Sequence, residues 1–131
     1  MSERAYRHRI RVRYAETDAQ AALHHAAYVV YLEEARIEAL RELGRSYRDL
    51  EEAGTLLAVT GVEVRYRRPL FFDDLLELTT TYRLAGPSRL TFATAIARDG
   101  RLCAEGSVTV AAIGRDGRPQ RLPAELRALL A

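Results

Sequence analysis

Asp18, His24 and His25 fall within eight residues of one another, just before the longest breaker-free helical pattern in the chain. A carboxylate in such a loop could attack a carbonyl carbon or take a proton from water. The start of a helix offers free backbone N–H groups and a partial positive charge. N–H groups around His25 could therefore receive the charge that develops on an acyl oxygen, where one good donor is worth about 3–4 kcal/mol. The same aspartate could instead simply cap the turn or the helix. Tyr14, four residues before Asp18, suits the core as well as a site, because it completes an apolar alternation with Ile10 and Val12.

Other chemistries lack their residues. The chain has no Gly-x-Ser-x-Gly elbow, no phosphate-binding glycine loop and no His-Glu-x-x-His. There are three histidines; adjacent His24 and His25 would face different ways on a helix and lack a third ligand, so no metal site is expected. Cys103 is the only cysteine, which excludes an intrachain disulfide and a thiolate cluster. The net charge is +2 and all 20 basic residues are arginine. They are scattered over strands and turns with no recognition helix, which argues against nucleic acid and suits a modest anionic ligand. Residues 1–13 are polar and no segment is apolar enough to span a membrane, so a cytoplasmic location is expected.

These residues must be positioned by the elements around them. At 131 residues the chain reads as a single domain, 1–131. Residues 8–14 alternate apolar and arginine positions, predicting a half-buried strand. From His25 to Leu43 the period becomes helical, with Tyr28, Leu32, Ala35, Ala39 and Leu43 on one stripe and Val29 and Leu40 beside it. Gly44 is placed to end that helix, and Ser46 to start a short second one ending at Gly54. The remainder is strand-like: Val62–Tyr66, Leu75–Tyr82, Leu90–Ala97 and Leu102–Ile113. Asp99-Gly100 and Asp116-Gly117 form tight turns, the second leading toward Gln120–Leu122. Pro123 to Leu130 could form a terminal helix. The expected class is α+β, a sheet curled around a buried helix.

Tyr14, Asp18, His25 and Tyr28, followed by Glu33-Glu34-Ala35-Arg36, form a pattern that resembles the 4-hydroxybenzoyl-CoA thioesterase-like family. Within it, the likeness is to the bacterial short acyl-CoA thioesterase branch associated with the Tol–Pal system. The resemblance continues through Val64-Arg65-Tyr66-Arg67-Arg68-Pro69 and Phe72-Asp73-Asp74, and covers residues 8–113. It departs at Gln20-Ala21-Ala22, where relatives often carry glycine and a freer backbone.

The resemblance implies a hotdog fold, a curled antiparallel sheet of about five strands wrapped around one long central helix. It implies an acyl-CoA thioesterase that releases a carboxylic acid and free CoA without a cofactor, the CoA thioester being the substrate. Asp18 would be nucleophile or general base, with His25 and Tyr14 assisting. Ser88 and Arg89, in the turn between the third and fourth strands, are implied for the coenzyme phosphates. Arg68, with Arg65 and Arg67, is a further phosphate candidate. Glu33 is the reserve carboxylate, although pairing of Glu33 or Glu34 with Arg36 or a strand is the competing role. Phe71, Phe72, Leu56 and Leu57 could line the acyl pocket or pack the core. A homodimer or homotetramer is implied, with the site at the subunit boundary. Enoyl-CoA hydration is a second reading, disfavoured because its Asp/His pair is spaced more closely; a non-catalytic acyl-CoA binder is a third.

Overall fold

The computed structural model describes residues 4–130. Residues 1–3 of the polar opening segment, and residue 131 of the single domain, lie outside the described residues. In chain order come β1 (Tyr6–Arg11), α1 (Ala27–Leu43), α2 (Tyr47–Glu52), β2 (Leu56–Tyr66), β3 (Leu75–Leu84), β4 (Arg89–Arg98), β5 (Arg101–Ile113) and α3 (Ala124–Leu130). The strands form one antiparallel sheet in the order β1-β3-β4-β5-β2. The class is α+β, as the periodicities predict.

Period-2 alternation decides which face of the sheet meets the helix. Leu76, Leu78 and Thr80 on β3, Leu90, Phe92, Thr94 and Ile96 on β4, and Ala104, Val108, Val110 and Ala112 on β5 are all buried. Gly106 on β5 is buried with them, and the residues that alternate with this set from Glu77 on β3, Thr91 on β4 and Glu105 on β5 are exposed or half-buried. Thr80 and Thr94, paired across β3 and β4, satisfy each other's buried hydroxyls at 2.9 Å. The β4–β5 connection is the two-residue turn Asp99-Gly100, with φ of 50° and 76°, the left-handed pair whose twist matches a hairpin.

α1 lies across this face and touches all five strands. It buries Tyr28, Tyr31, Leu32, Ala35, Arg36, Ala39, Leu40 and Leu43, each large apolar member contributing about 1.5–3 kcal/mol. The helix can sit low because β5 carries glycine at 106: a Cβ there would collide with both methyls of Leu32. Gly44 ends the helix at φ 102°, and Ser46 starts α2 by accepting the Asp49 N–H at 3.1 Å.

Four local expectations change. The first strand stops at Arg11 instead of reaching Tyr14. α1 begins at Ala27, two residues late, because His24–Ala26 form a turn first. The expected stripe of Tyr28, Leu32, Ala35, Ala39 and Leu43 is buried, but Val29 beside it is 40% exposed and Tyr31 on the other flank is buried. Gln120–Leu122 form no strand; Gln120 N–H reaches Ala112 O and Leu122 N–H reaches Pro87 O, tying the segment to a strand end and a turn.

Candidate active site

The loop between β1 and α1 is built by folding back on itself. Arg13 N–H donates to Glu16 Oε1 at 3.0 Å, which pulls Tyr14–Glu16 into a 3-10 turn. Tyr14 is thereby taken off the Ile10/Val12 face; it is 71% exposed and rests edge-on against Phe72, ring centres 5.4 Å apart. The chain then doubles back. Asp18 N–H bonds Ala22 O at 2.8 Å, Thr17 bridges Leu23, and His24 N–H bonds Glu16 O at 2.9 Å. On its other side the loop is stitched to residues 70–72, by Leu23 N–H to Leu70 O (2.7 Å) and Phe72 N–H to Ala21 O (3.0 Å). Ala21 closes the reversal at φ 61°, the left-handed conformation that glycine takes more readily.

Asp18 is exposed. Its Oδ1 accepts the N–H of Gln20 at 2.8 Å and of Ala22 at 3.2 Å, so the carboxylate caps its own turn. Its Oδ2 has no partner among the described residues. The His24 and His25 rings stack at 4.2 Å. Ala26 N–H donates to His24 Nδ1 at 3.1 Å, so that nitrogen carries no proton in this arrangement. The helix cap, Ala26, has no side-chain acceptor. Among the described residues His25 N–H meets no acceptor, whereas His25 O accepts the Tyr66 hydroxyl at 3.1 Å from β2. Tyr66 also packs edge-on against Tyr28.

Glu16 is the residue that the sequence reading missed. Its Oε1 accepts the Tyr31 hydroxyl at 2.6 Å and its Oε2 lies 3.3 Å from the Arg13 guanidinium. Burial pushes the Glu16 carboxyl up, yet the Tyr31 and Arg13 hydrogen bonds outweigh it and hold the group below its ordinary value. Burial, then the bond to Glu16, raises the Tyr31 hydroxyl. No periodic signal marks this pair, whose members stand 15 residues apart, one in the loop and one in the helix.

The remaining candidates fall in different places. Arg68 is exposed near the loop, two residues from the Leu70 that holds Leu23, and its N–H bonds Cys103 O. Arg67 pairs with Glu105 at 2.6 Å. Arg98 bonds Asp74 at 2.9 Å and Pro69 O at 3.1 Å, bracing the 69–74 segment. Ser88 and Arg89 lie beyond the far end of β3, roughly 30 Å from the Asp18 loop along the strand. One chain does not bring them to Asp18.

Glu33 is exposed and 3.7 Å from Arg36, while Glu34 pairs with His8 at 2.5 Å. Phe71 and Phe72 are 42% and 47% exposed, so neither packs the core. A cavity of about 330 Å³ between β1 and α1, and one of about 530 Å³ between the β3–β4 turn and α3, include neither Asp18 nor His25. Among the described residues no three His, Cys, Asp or Glu side chains gather to hold a metal, and no helix is long and apolar enough to cross a membrane.

Comparison with known proteins bears on this geometry. Residues 12–130 match the family described as Thioesterase-like superfamily. The acyl-CoA thioester hydrolase YbgC of Escherichia coli O157:H7 is 31% identical over 94% of this chain and 93% of its own. Two other curated relatives, from Aquifex aeolicus and Bacillus subtilis, are matched over 65% and 47% of their own lengths. Among solved structures, a DHNA-CoA thioesterase from Staphylococcus aureus superposes with a TM-score of 0.86 at 30% identity, covering 90% of this chain and 80% of that one. A Thermus thermophilus protein superposes with a TM-score of 0.91 at 32% identity, covering 97% and 95%.

Proposed function

The chain belongs to the thioesterase-like superfamily, and on that premise we propose that it hydrolyses acyl-CoA thioesters to a carboxylic acid and free CoA. One observation supports this most directly. The Asp18 carboxylate is gripped through Oδ1 by two loop N–H groups and presents an unpartnered Oδ2, in a loop that leads into the uncapped start of α1. An aspartate held this way can attack the acyl carbon or draw a proton from water. The His25 N–H receives the oxyanion, and the partial positive charge of the helix end adds to it. Tyr14 and the His25 side chain assist by orienting Asp18, the water or the thioester.

Hydrolysis of this kind needs no cofactor. The coenzyme end is bound by Ser88 and Arg89 of a second subunit, because these residues stand too far from Asp18 in their own chain. Arg68 contributes from the near side. The working form is therefore a cytoplasmic homodimer or homotetramer, in which the hotdog sheet wraps one central helix per subunit. The reading is tested with a panel of acyl-CoA esters, followed by thiol release for wild type, Asp18→Asn and Asp18→Ala. Loss of turnover with CoA binding retained supports it. Full activity in both variants transfers the role to Glu33, and the absence of hydrolysis across the panel ends it.

A further inference from the structure

We propose that Glu16 and Tyr31 form a positioning latch, which sets the distance between the Asp18 loop and the oxyanion-binding start of α1. The inference rests on the thioesterase reading, and names residues of that site which do not touch substrate.

Glu16 holds three pieces of the chain at once. Its carboxylate accepts the Tyr31 hydroxyl from the second turn of α1 and the N–H of Arg13 from the end of β1. Its backbone carbonyl accepts His24 N–H. Asp18 follows two residues later along extended chain, and His25 follows His24 directly. The Glu16 side chain is only 16% exposed and Tyr31 is 2% exposed, so the bond is shielded from competing water. Both hydrogen bonds to the carboxylate's inner side use the same atom, Oε1. A glutamine at 16 could keep both through its amide oxygen, whereas alanine could keep neither.

Small displacements at a reacting centre are costly: a shift of about 1 Å lowers turnover on the order of 100-fold. Removing the latch therefore lowers kcat and leaves KM nearly unchanged, since both side chains are shielded behind the loop and not displayed at its surface. Steady-state kinetics on Glu16→Ala, Tyr31→Phe and Glu16→Gln test this. The first two should lose about tenfold or more in kcat, with KM within about twofold. Glu16→Gln should recover most of the loss. Undiminished kcat in Glu16→Ala overturns the latch, and a loss that glutamine does not rescue overturns it too, because the carboxylate itself would then be required.

Amide hydrogen exchange keeps this separate from the parent reading. Glu16→Ala should speed exchange across residues 18–25 while the β3 and β4 amides hold. Unchanged exchange sinks the latch even in an active enzyme. Faster exchange in Glu16→Ala, combined with a wild type that cleaves no thioester, upholds the latch as structure and sinks the catalytic reading.

Discussion

The Tyr66 hydroxyl, on a strand 41 residues further along the chain, donates to the carbonyl of His25 at 3.1 Å. That carbonyl belongs to the turn that precedes α1, so β2 fixes the peptide next to the proposed oxyanion donor. Tyr66→Phe removes the bond and keeps the edge-on contact with Tyr28. The expected cost is about 0.5–1.5 kcal/mol, toward the lower end because Tyr66 is 52% exposed. Urea unfolding measures it, and an unchanged midpoint would show that the bond contributes nothing in water.

Asp18 separates its two roles by substitution. Asp18→Asn keeps an oxygen for the N–H groups of Gln20 and Ala22, so stability should stay within about 0.5 kcal/mol of wild type. Turnover should nevertheless fall by about 100-fold or more. Asp18→Ala should lose the turn cap as well, about 1 kcal/mol. Equal turnover in wild type and the asparagine variant, with only the alanine variant unstable, would leave Asp18 as a cap alone.

Ala21 carries the loop's reversal at φ 61°, where an L side chain costs roughly 1–2 kcal/mol. Glycine relieves that strain but loses more chain entropy on folding, about 0.5–1 kcal/mol. Ala21→Gly should therefore raise stability by about 0.5 kcal/mol. Thermal unfolding decides it; a lower midpoint would mean that the loop relaxes without strain.

The latch has a pH signature. The Glu16 carboxyl lies below its ordinary 4.5 in the folded chain, so its contribution is complete above that value and is lost as pH falls through the lower, folded one. The Tyr31 hydroxyl is raised above its ordinary 10.0, so a second loss begins as pH climbs past 10. Wild type should destabilise more steeply below pH 4.5 than Glu16→Gln. Parallel acid limbs in chemical denaturation would contradict the assignment.

If Ser88 and Arg89 serve the Asp18 of another subunit, crippled subunits should complement. Asp18→Ala and Arg89→Ala, mixed after partial unfolding and reassembled, should recover roughly one quarter of wild-type turnover, because half the chains' pairings restore one intact site. No recovery from two separately impaired variants would put both residues' work within one chain.

The alternations of β3, β4 and β5, the helical period of α1 and the Gly44 stop were legible because each depends on neighbours a few residues away. The order β1-β3-β4-β5-β2 was not, since nothing local in β1 says that it pairs with β3 instead of β2. Tyr14 illustrates the same limit. Its alternation with Ile10 and Val12 was genuine, but a hydrogen bond from Arg13 to Glu16 ended the strand first. The Tyr31 bond to the Glu16 carboxylate and the Tyr66 bond to the His25 backbone carbonyl stayed hidden because neither spacing carries a periodic signal. Asp18 and His25 could be singled out by type and position, but which carboxylate oxygen stays free depends on a loop closed by residues 70–72.

The missing methyl at position 106 has a reach beyond packing. Leu32 lies one turn past Tyr28 and next to Tyr31, so the elevation of α1 over β5 is transmitted to everything suspended from the helix's first turn. Alanine at 106 would work as a shim. It would lever that turn outward, at about 1–3 kcal/mol, and retune the reactive centre from the opposite side of the core, leaving every residue there chemically intact.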